Sequence, residues 1–222
     1  MKNIILWNDF VLKDGYPKTT DDELRERLNR KFGECSCQYL GLSETMLWIK
    51  KHQQTKGIAI GSRPSKIFNN LPALNIHRIF DTNRCVCDYK IEEQSEETAK
   101  ALSINKIALF EDCIVQGNTV RKILSIIPNS TEKQIKIIAM MGIKSNILEL
   151  QLEYPFLEFE VEYLIDGLTS GNWECTVLFL SDLLDCEKMF IEDERRMKQC
   201  FYEDYEEIKA YFLKNKVKIS FE

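Results

Sequence analysis

Ile107-Ala-Leu-Phe-Glu111-Asp112-Cys-Ile-Val115-Gln116-Gly117-Asn118-Thr119-Val-Arg121-Lys-Ile-Leu124 is the passage on which the reading of this chain turns. Four apolar residues in a row, led by β-branched Ile107, have the character of a strand buried on both faces in a parallel sheet. Two carboxylates stand where that strand is expected to end. A short turn follows, in which Gly117 brings backbone freedom and Thr119 a hydroxyl. Val120, Ile123, Leu124 and Ile127 then recur at helical spacing and stop before Pro128-Asn129. Unpaired N–H groups of such a turn and of the first helical turn can hold a phosphate dianion. Glu111 and Asp112 are acceptors suited to the two hydroxyls of a ribose. A ligand that fits both ends is a ribose 5-phosphate. The plainer alternative is an ordinary βα turn whose acids face solvent.

These residues resemble the PRPP-binding motif of the type I phosphoribosyltransferases: four apolar residues, two acids, then a small-residue loop ending Thr-Gly-x-Thr. The Glu-Asp version is similar to that of hypoxanthine-guanine phosphoribosyltransferases. Agreement is good over 107–110 and at Glu111, Asp112, Gly117 and Thr119. The chain departs at Gln116, where Thr is usual, and at Val115, where the 6-oxopurine enzymes place an acid that handles a base proton.

Composition sets the frame. At 222 residues, the chain is long enough for one sizeable α/β domain or a domain plus an appendage. Apolar and charged contents of 44% and 29% are those of an ordinary globular protein. No 18-residue apolar run offers a transmembrane helix, and the first residues have too short an apolar core for a signal peptide. A cytoplasmic location is the expectation. Net charge is −5 with dispersed basic residues, which argues against nucleic acid as the main partner but leaves room for an anionic small molecule. The eight cysteines include Cys35-Ser-Cys37 and Cys85-Val-Cys87. Two such pairs could make a four-thiolate zinc site, although buried reduced thiols are the commoner outcome.

Residues 3–12 have the pattern of a strand or arm. Thr20-Asp-Asp-Glu23 is a capping box opening a helix over 21–32. A second helix begins near Ser43, with Met46, Leu47 and Ile49 expected toward the core and His52, after two lysines, toward solvent. Residues 57–65 form a strand running into a turn, with a helix starting at Lys66. Residues 75–91 suggest one or two strands around the polar turn 81–84, followed by a polar run over 92–100; His77 there suits packing or the surface better than catalysis. Residues 134–142 are a further buried strand, 147–152 a short helix, and 156–165 a strand with one wet face. Residues 177–184 are apolar and fit strand or helix. The tail, 185–214, is an amphipathic helix with room for one break. With no repeat or Pro/Gly linker, one domain over 1–222 is the simplest description, with its core at about 43–184 and a helical extension over 185–222.

The resemblance carries further implications, in matching order along 57–184. It implies a mostly parallel sheet flanked by helices, with a small hood. Ser62 and Arg63 fall where the family keeps a pyrophosphate loop, although Pro64-Ser65 replace its paired glycines. The interval 75–100 falls where the family keeps a mobile loop that closes over the substrate, with Arg84 and Lys90 as candidates to touch phosphate. Lys144, Asp166 and Trp173, with Glu174 as an alternative to Asp166, would meet the base. Val115, Gln116, Gly117, Asn118 and Thr119 would hold the 5′-phosphate. Glu111 and Asp112 would act catalytically and hold Mg²⁺. The implied reaction is phosphoribosyl transfer between PRPP and a nitrogenous base. Because Val115 is not acidic, the base proton must be managed elsewhere or by water. The family usually dimerises. Two rival readings stay open: a catalytically degenerate sensor or partner subunit that binds PRPP or a nucleoside monophosphate, and a zinc- or redox-dependent interaction module.

Overall fold

The computed structural model describes residues 3–7, 26, 37–80, 86–165, 175–179, 194–201 and 205–214. In chain order its elements are β1 (Asn3–Trp7), β2 (Cys37–Leu40), α1 (Leu42–His52), β3 (Ile58–Ile60), α2 (Ser62–Ile67), β4 (Ala73–Leu74), β5 (Ile76–Phe80) and β6 (Val86–Ile91). They continue with α3 (Glu96–Ser103), β7 (Lys106–Ile114), α4 (Asn118–Leu124), β8 (Gln134–Ile143), α5 (Lys144–Glu153) and β9 (Leu157–Ile165). The last are β10 (Cys175–Phe179), α6 (Glu194–Phe201) and α7 (Tyr205–Lys214). By contact the chain groups into two compact units, one of residues 48–171 and one of residues 1–47 with 172–222.

The 48–171 unit is built on a five-stranded sheet of order β4-β3-β7-β8-β9, in which every pairing is parallel. The α/β class with a mostly parallel sheet expected from the sequence is therefore present. Its middle strands β7 and β8 are apolar runs because both faces are covered. Ile58, Ile107, Leu109, Ile123, Ile137 and Leu150 lie in its core. Edge strand β9 alternates, and its Glu160 and Glu162 meet Lys51 and Lys136 at 2.5–3.0 Å. Within 75–91, β5 and β6 pair antiparallel.

Four local expectations are corrected here. β7 does not stop at the acids but runs to Ile114, because buried Cys113 and Ile114 stay in register with Met141 and Gly142 of β8. A helix occupies 62–67 instead of starting at Lys66; Pro64 is tolerated in the first turn, where its missing N–H has no partner to lose. The polar run 92–100 contains the start of α3, capped by Ser95 Oγ accepting from the Thr98 N–H at 3.1 Å. The far end of α3 is finished by buried Lys133, whose Nζ donates to the Leu102 and Ile104 carbonyls at 2.9 and 3.0 Å.

The fourth correction concerns α1. Met46 and Leu47 are 49% and 64% exposed, whereas His52 is only 4% exposed. The inward stripe is Thr45, Trp48 and His52, at three- and four-residue steps, so the two polar neighbours of His52 mask its place on the apolar face. Trp48 packs edge-on to Phe68, and His52 edge-on to Phe110. Burial lowers the His52 pKa, with Glu160 Oε1 at 3.7 Å from Nε2 pulling the other way.

The second unit holds a three-stranded parallel sheet of order β10-β1-β2. Thus 177–179, ambiguous in the sequence, are strand, and the N-terminal segment pairs with them across nearly the whole chain length. Trp7 is fully buried and donates from Nε1 to Thr45 Oγ1 at 2.7 Å. The tail is two described helices, α6 and α7, with buried Met197 and Tyr205 among their inward residues. The expected helix over 21–32 lies outside the described residues apart from Glu26.

Candidate functional site

In the five-stranded sheet, β3 leads to β4 on one side, while β7 leads to β8 on the other. The order of connection therefore reverses between β3 and β7. In open parallel sheets the crevice outside the carboxyl ends at such a switch point is where ligands bind. The segments leaving β3 and β7 there are the two that the sequence singles out, 61–63 and 115–119.

The geometry joins them. Arg63 Nη1 donates to Asp112 Oδ2 at 3.1 Å, with the two side chains only 18% and 14% exposed. Arg63 is delivered by Gly61, whose φ of 74° and ψ of −179° lie in a region that essentially only glycine enters. Ser62 follows at the exposed first position of α2.

Glu111 is 4% exposed, and its Oε2 has no hydrogen-bond partner among the described residues. Burial raises its pKa well above the ordinary value, and the neighbouring Asp112 charge pushes the same way, while the Arg78 guanidinium opposes both. Burial thus favours the protonated form of Glu111, whose carboxyl can then donate as well as accept. Arg78 is a cation the sequence did not single out. It sits on β5 opposite Tyr89, and its charge acts on Glu111 from outside β7.

After β7 the chain turns at Gly117, which adopts the left-handed conformation with φ of 73°. A Cβ there would come within 2.6 Å of Leu150 Cδ1, so both conformation and space require glycine. Asn118 opens α4 and its Nδ2 donates to Gln116 Oε1 at 3.3 Å. Thr119 follows in the first turn of α4. The turn 115–119 thus stands on the same strand as Glu111 and Asp112, and Asp112 is tied to Arg63.

Lys144, the first residue of α5, is exposed at the carboxyl end of β8. Lys90 is exposed on β6, and His77 is an exposed residue pairing with Glu92 at 2.7 Å. Arg84, Asp166, Trp173 and Glu174 lie outside the described residues.

No group of three or more metal-ligating side chains occurs among the described residues. The oxygen-only pair Glu111 and Asp112 nevertheless fits Mg²⁺, an ion that commonly takes one or two carboxylates and completes its shell with phosphate oxygens and water. The unpartnered Glu111 Oε2 is consistent with that use, because a bound cation would favour loss of the proton that burial retains.

No protein-family model and no curated protein matches this chain. Among solved structures, it is similar to a protein of Aquifex aeolicus, with 12% identity, a TM-score of 0.40, and coverage of 69% of this chain and 80% of the other. It is similar to adenine phosphoribosyltransferase from Leishmania tarentolae, with 11% identity, a TM-score of 0.39, and coverage of 61% and 74%. It is also similar to orotate phosphoribosyltransferase from Aeropyrum pernix, with 9% identity, a TM-score of 0.37, and coverage of 55% and 70%. At these scores, the likenesses are too distant to bear on the chemistry of this chain, which rests on its own residues.

Proposed function

We propose that the chain is a single phosphoribosyltransferase-like domain that binds PRPP or a nucleoside monophosphate. It transfers phosphoribosyl to or from a nitrogenous base. The observation that carries this reading is the 3.1 Å contact between Arg63 and Asp112 across the switch point. It places a basic group beside an acid suited to ribose hydroxyls, on the strand that leads into the phosphate turn.

In this reading, residues 115–119 hold the 5′-phosphate, mainly through backbone amides. Glu111 and Asp112 hold the ribose hydroxyls and offset positive charge developing on the sugar carbon. Ser62 and Arg63 take the leaving pyrophosphate, with Arg63 moving from Asp112 to the ligand. Lys144, Asp166 and Trp173 are the proposed base contacts, and Arg84 and Lys90 the proposed further phosphate contacts. Glu111 and Asp112 would hold Mg²⁺, which would supply charge neutralisation for the leaving pyrophosphate. A homodimer located in the cytoplasm completes the proposal.

The same ion pair also favours a second reading, a non-catalytic sensor or partner subunit. Arg63 already engages the acid that ribose would use, and Pro64-Ser65 stand where paired glycines would let backbone approach pyrophosphate. Pyrophosphate release from PRPP and Mg²⁺ over a panel of purine and pyrimidine bases separates the two. Base-dependent release that Asp112→Asn abolishes establishes the enzyme. Tight PRPP binding with no release from any base establishes the sensor.

A further inference from the structure

The carbonyl groups of the phosphate turn are held down by side chains from outside it. Asn146, 3% exposed in α5, donates from Nδ2 to the Val115 carbonyl. Arg121, in α4, donates from Nη1 to the next carbonyl, that of Gln116, at 2.8 Å, and to Asn118 Oδ1 at 3.4 Å. Arg121 is itself braced against α5, with Nε at 2.7 Å from Glu153 Oε2 and Nη2 at 3.4 Å from Glu149 Oε1. Leu150, between those contacts, fills the space beneath Gly117.

Consecutive carbonyls fixed in this way determine where the amides face. In a trans peptide, the C=O of one residue and the N–H of the next point in opposite directions. No cis bond occurs among the described residues. Drawing the Val115 and Gln116 carbonyls onto Asn146 and Arg121 therefore turns the Gln116 and Gly117 N–H groups away from those side chains. Two successive amides converging on one side, with the second residue in the left-handed conformation, form an anion-binding concavity.

We infer that Asn146 and Arg121 are positioning residues for a phosphate at the 115–119 turn: they fix its carbonyls so that the Gln116 and Gly117 amides are aimed at the anion before it arrives. This rests on the phosphate reading of the turn given above. Neither side chain touches the phosphate. The guanidinium of Arg121, held by two carboxylates and a carbonyl, acts through its fork geometry and not as a free cation. Asn146→Asp keeps the size of the side chain but presents only acceptors to the Val115 carbonyl. Arg121→Lys keeps the charge but cannot span the carbonyl and both glutamates.

The test is a titration of the full-length, ¹⁵N-labelled chain with ribose 5-phosphate, followed at the backbone amides. Wild type is expected to bind with its largest amide shifts at Gln116 and Gly117. Each variant is expected to keep the remaining spectrum and lose about tenfold or more in affinity, the scale of misaimed hydrogen bonds to a charged group. Arg121→Lys, at a partly exposed site, serves if Asn146→Asp does not fold. Variants that bind as tightly as wild type, or wild-type binding that leaves both amides unshifted, overturn the positioning role while phosphate binding stands. Absence of any wild-type binding overturns the phosphate reading and this inference with it.

Discussion

Arg63 and Asp112, 49 residues apart, meet at 3.1 Å with little of either side chain exposed. An ion pair so shielded is costly to break from one side, because the remaining charge loses its partner without regaining full hydration. Arg63→Ala and Asp112→Asn are each expected to destabilise the fold, and the double variant to cost less than their sum. A coupling of about 1–2 kcal/mol in a denaturant double-mutant cycle is expected. A coupling indistinguishable from zero would mean that the contact does not organise the crevice.

Gly117→Ala tests the turn's geometry. The substitution meets both a positive φ and a Leu150 methyl at 2.6 Å. Strain and overpacking together are expected to cost about 2–4 kcal/mol in equilibrium unfolding. A loss below about 0.5 kcal/mol, within the range of unremarkable surface substitutions, would show that the turn is freer than its geometry implies.

Glu160 gives the fold an acid-sensitive component. Hydrogen bonding to Lys136 and Lys51 outweighs partial burial and lowers its pKa from 4.5 to about 2. Because the folded value lies below the unfolded one, this stabilisation is full above pH 4.5 and is lost as pH falls toward 2. Glu160→Gln should therefore be less stable than wild type at neutral pH, by about 1 kcal/mol given its exposure to solvent. That difference should shrink through the same acid window in pH-dependent unfolding. A difference that stays constant with pH would refute the assignment.

His52 titrates in a different window. Its buried ring packs on Phe110, and Nε2 has no hydrogen-bond partner among the described residues. Burial lowers its pKa, so its contribution is full above pH 6.5 and is lost as pH falls through the lowered value. His52→Phe keeps a ring in place and removes the group that must gain a proton. Its stability relative to wild type should rise as pH falls below 6.5. A stability difference unchanged between neutral and mildly acid pH would contradict this.

Much of the sheet is legible in the sequence because its central strands are buried on both faces, and continuous apolar runs such as 107–110 and 137–141 announce that directly. The acidic pair and Gly117 are legible because they follow the first of those runs and precede a helix whose apolar spacing is itself local. Local polarity misled where position on a face mattered more. Lys50 and Lys51 suggest a wet end to α1, yet His52 falls on the stripe of Thr45 and Trp48. The polar run after β6 hides a cap at Ser95. Contacts that depend on distant segments left no local mark. The pairing of β1 with β10, Arg78 near Glu111, and Asn146 beneath Val115 all arise only when the strands have found their order.

The most direct measurement is the melting temperature of wild type and Asp112→Asn with Mg²⁺ and PRPP, beside ribose 5-phosphate and nucleoside monophosphates. Ligand at a hundred times its dissociation constant stabilises the folded chain by about 2.7 kcal/mol, a readily seen shift. A ribose-phosphate site at this crevice predicts a PRPP-dependent rise in wild type that Asp112→Asn removes. No rise with any of these ligands, or an equal rise in both proteins, would contradict it.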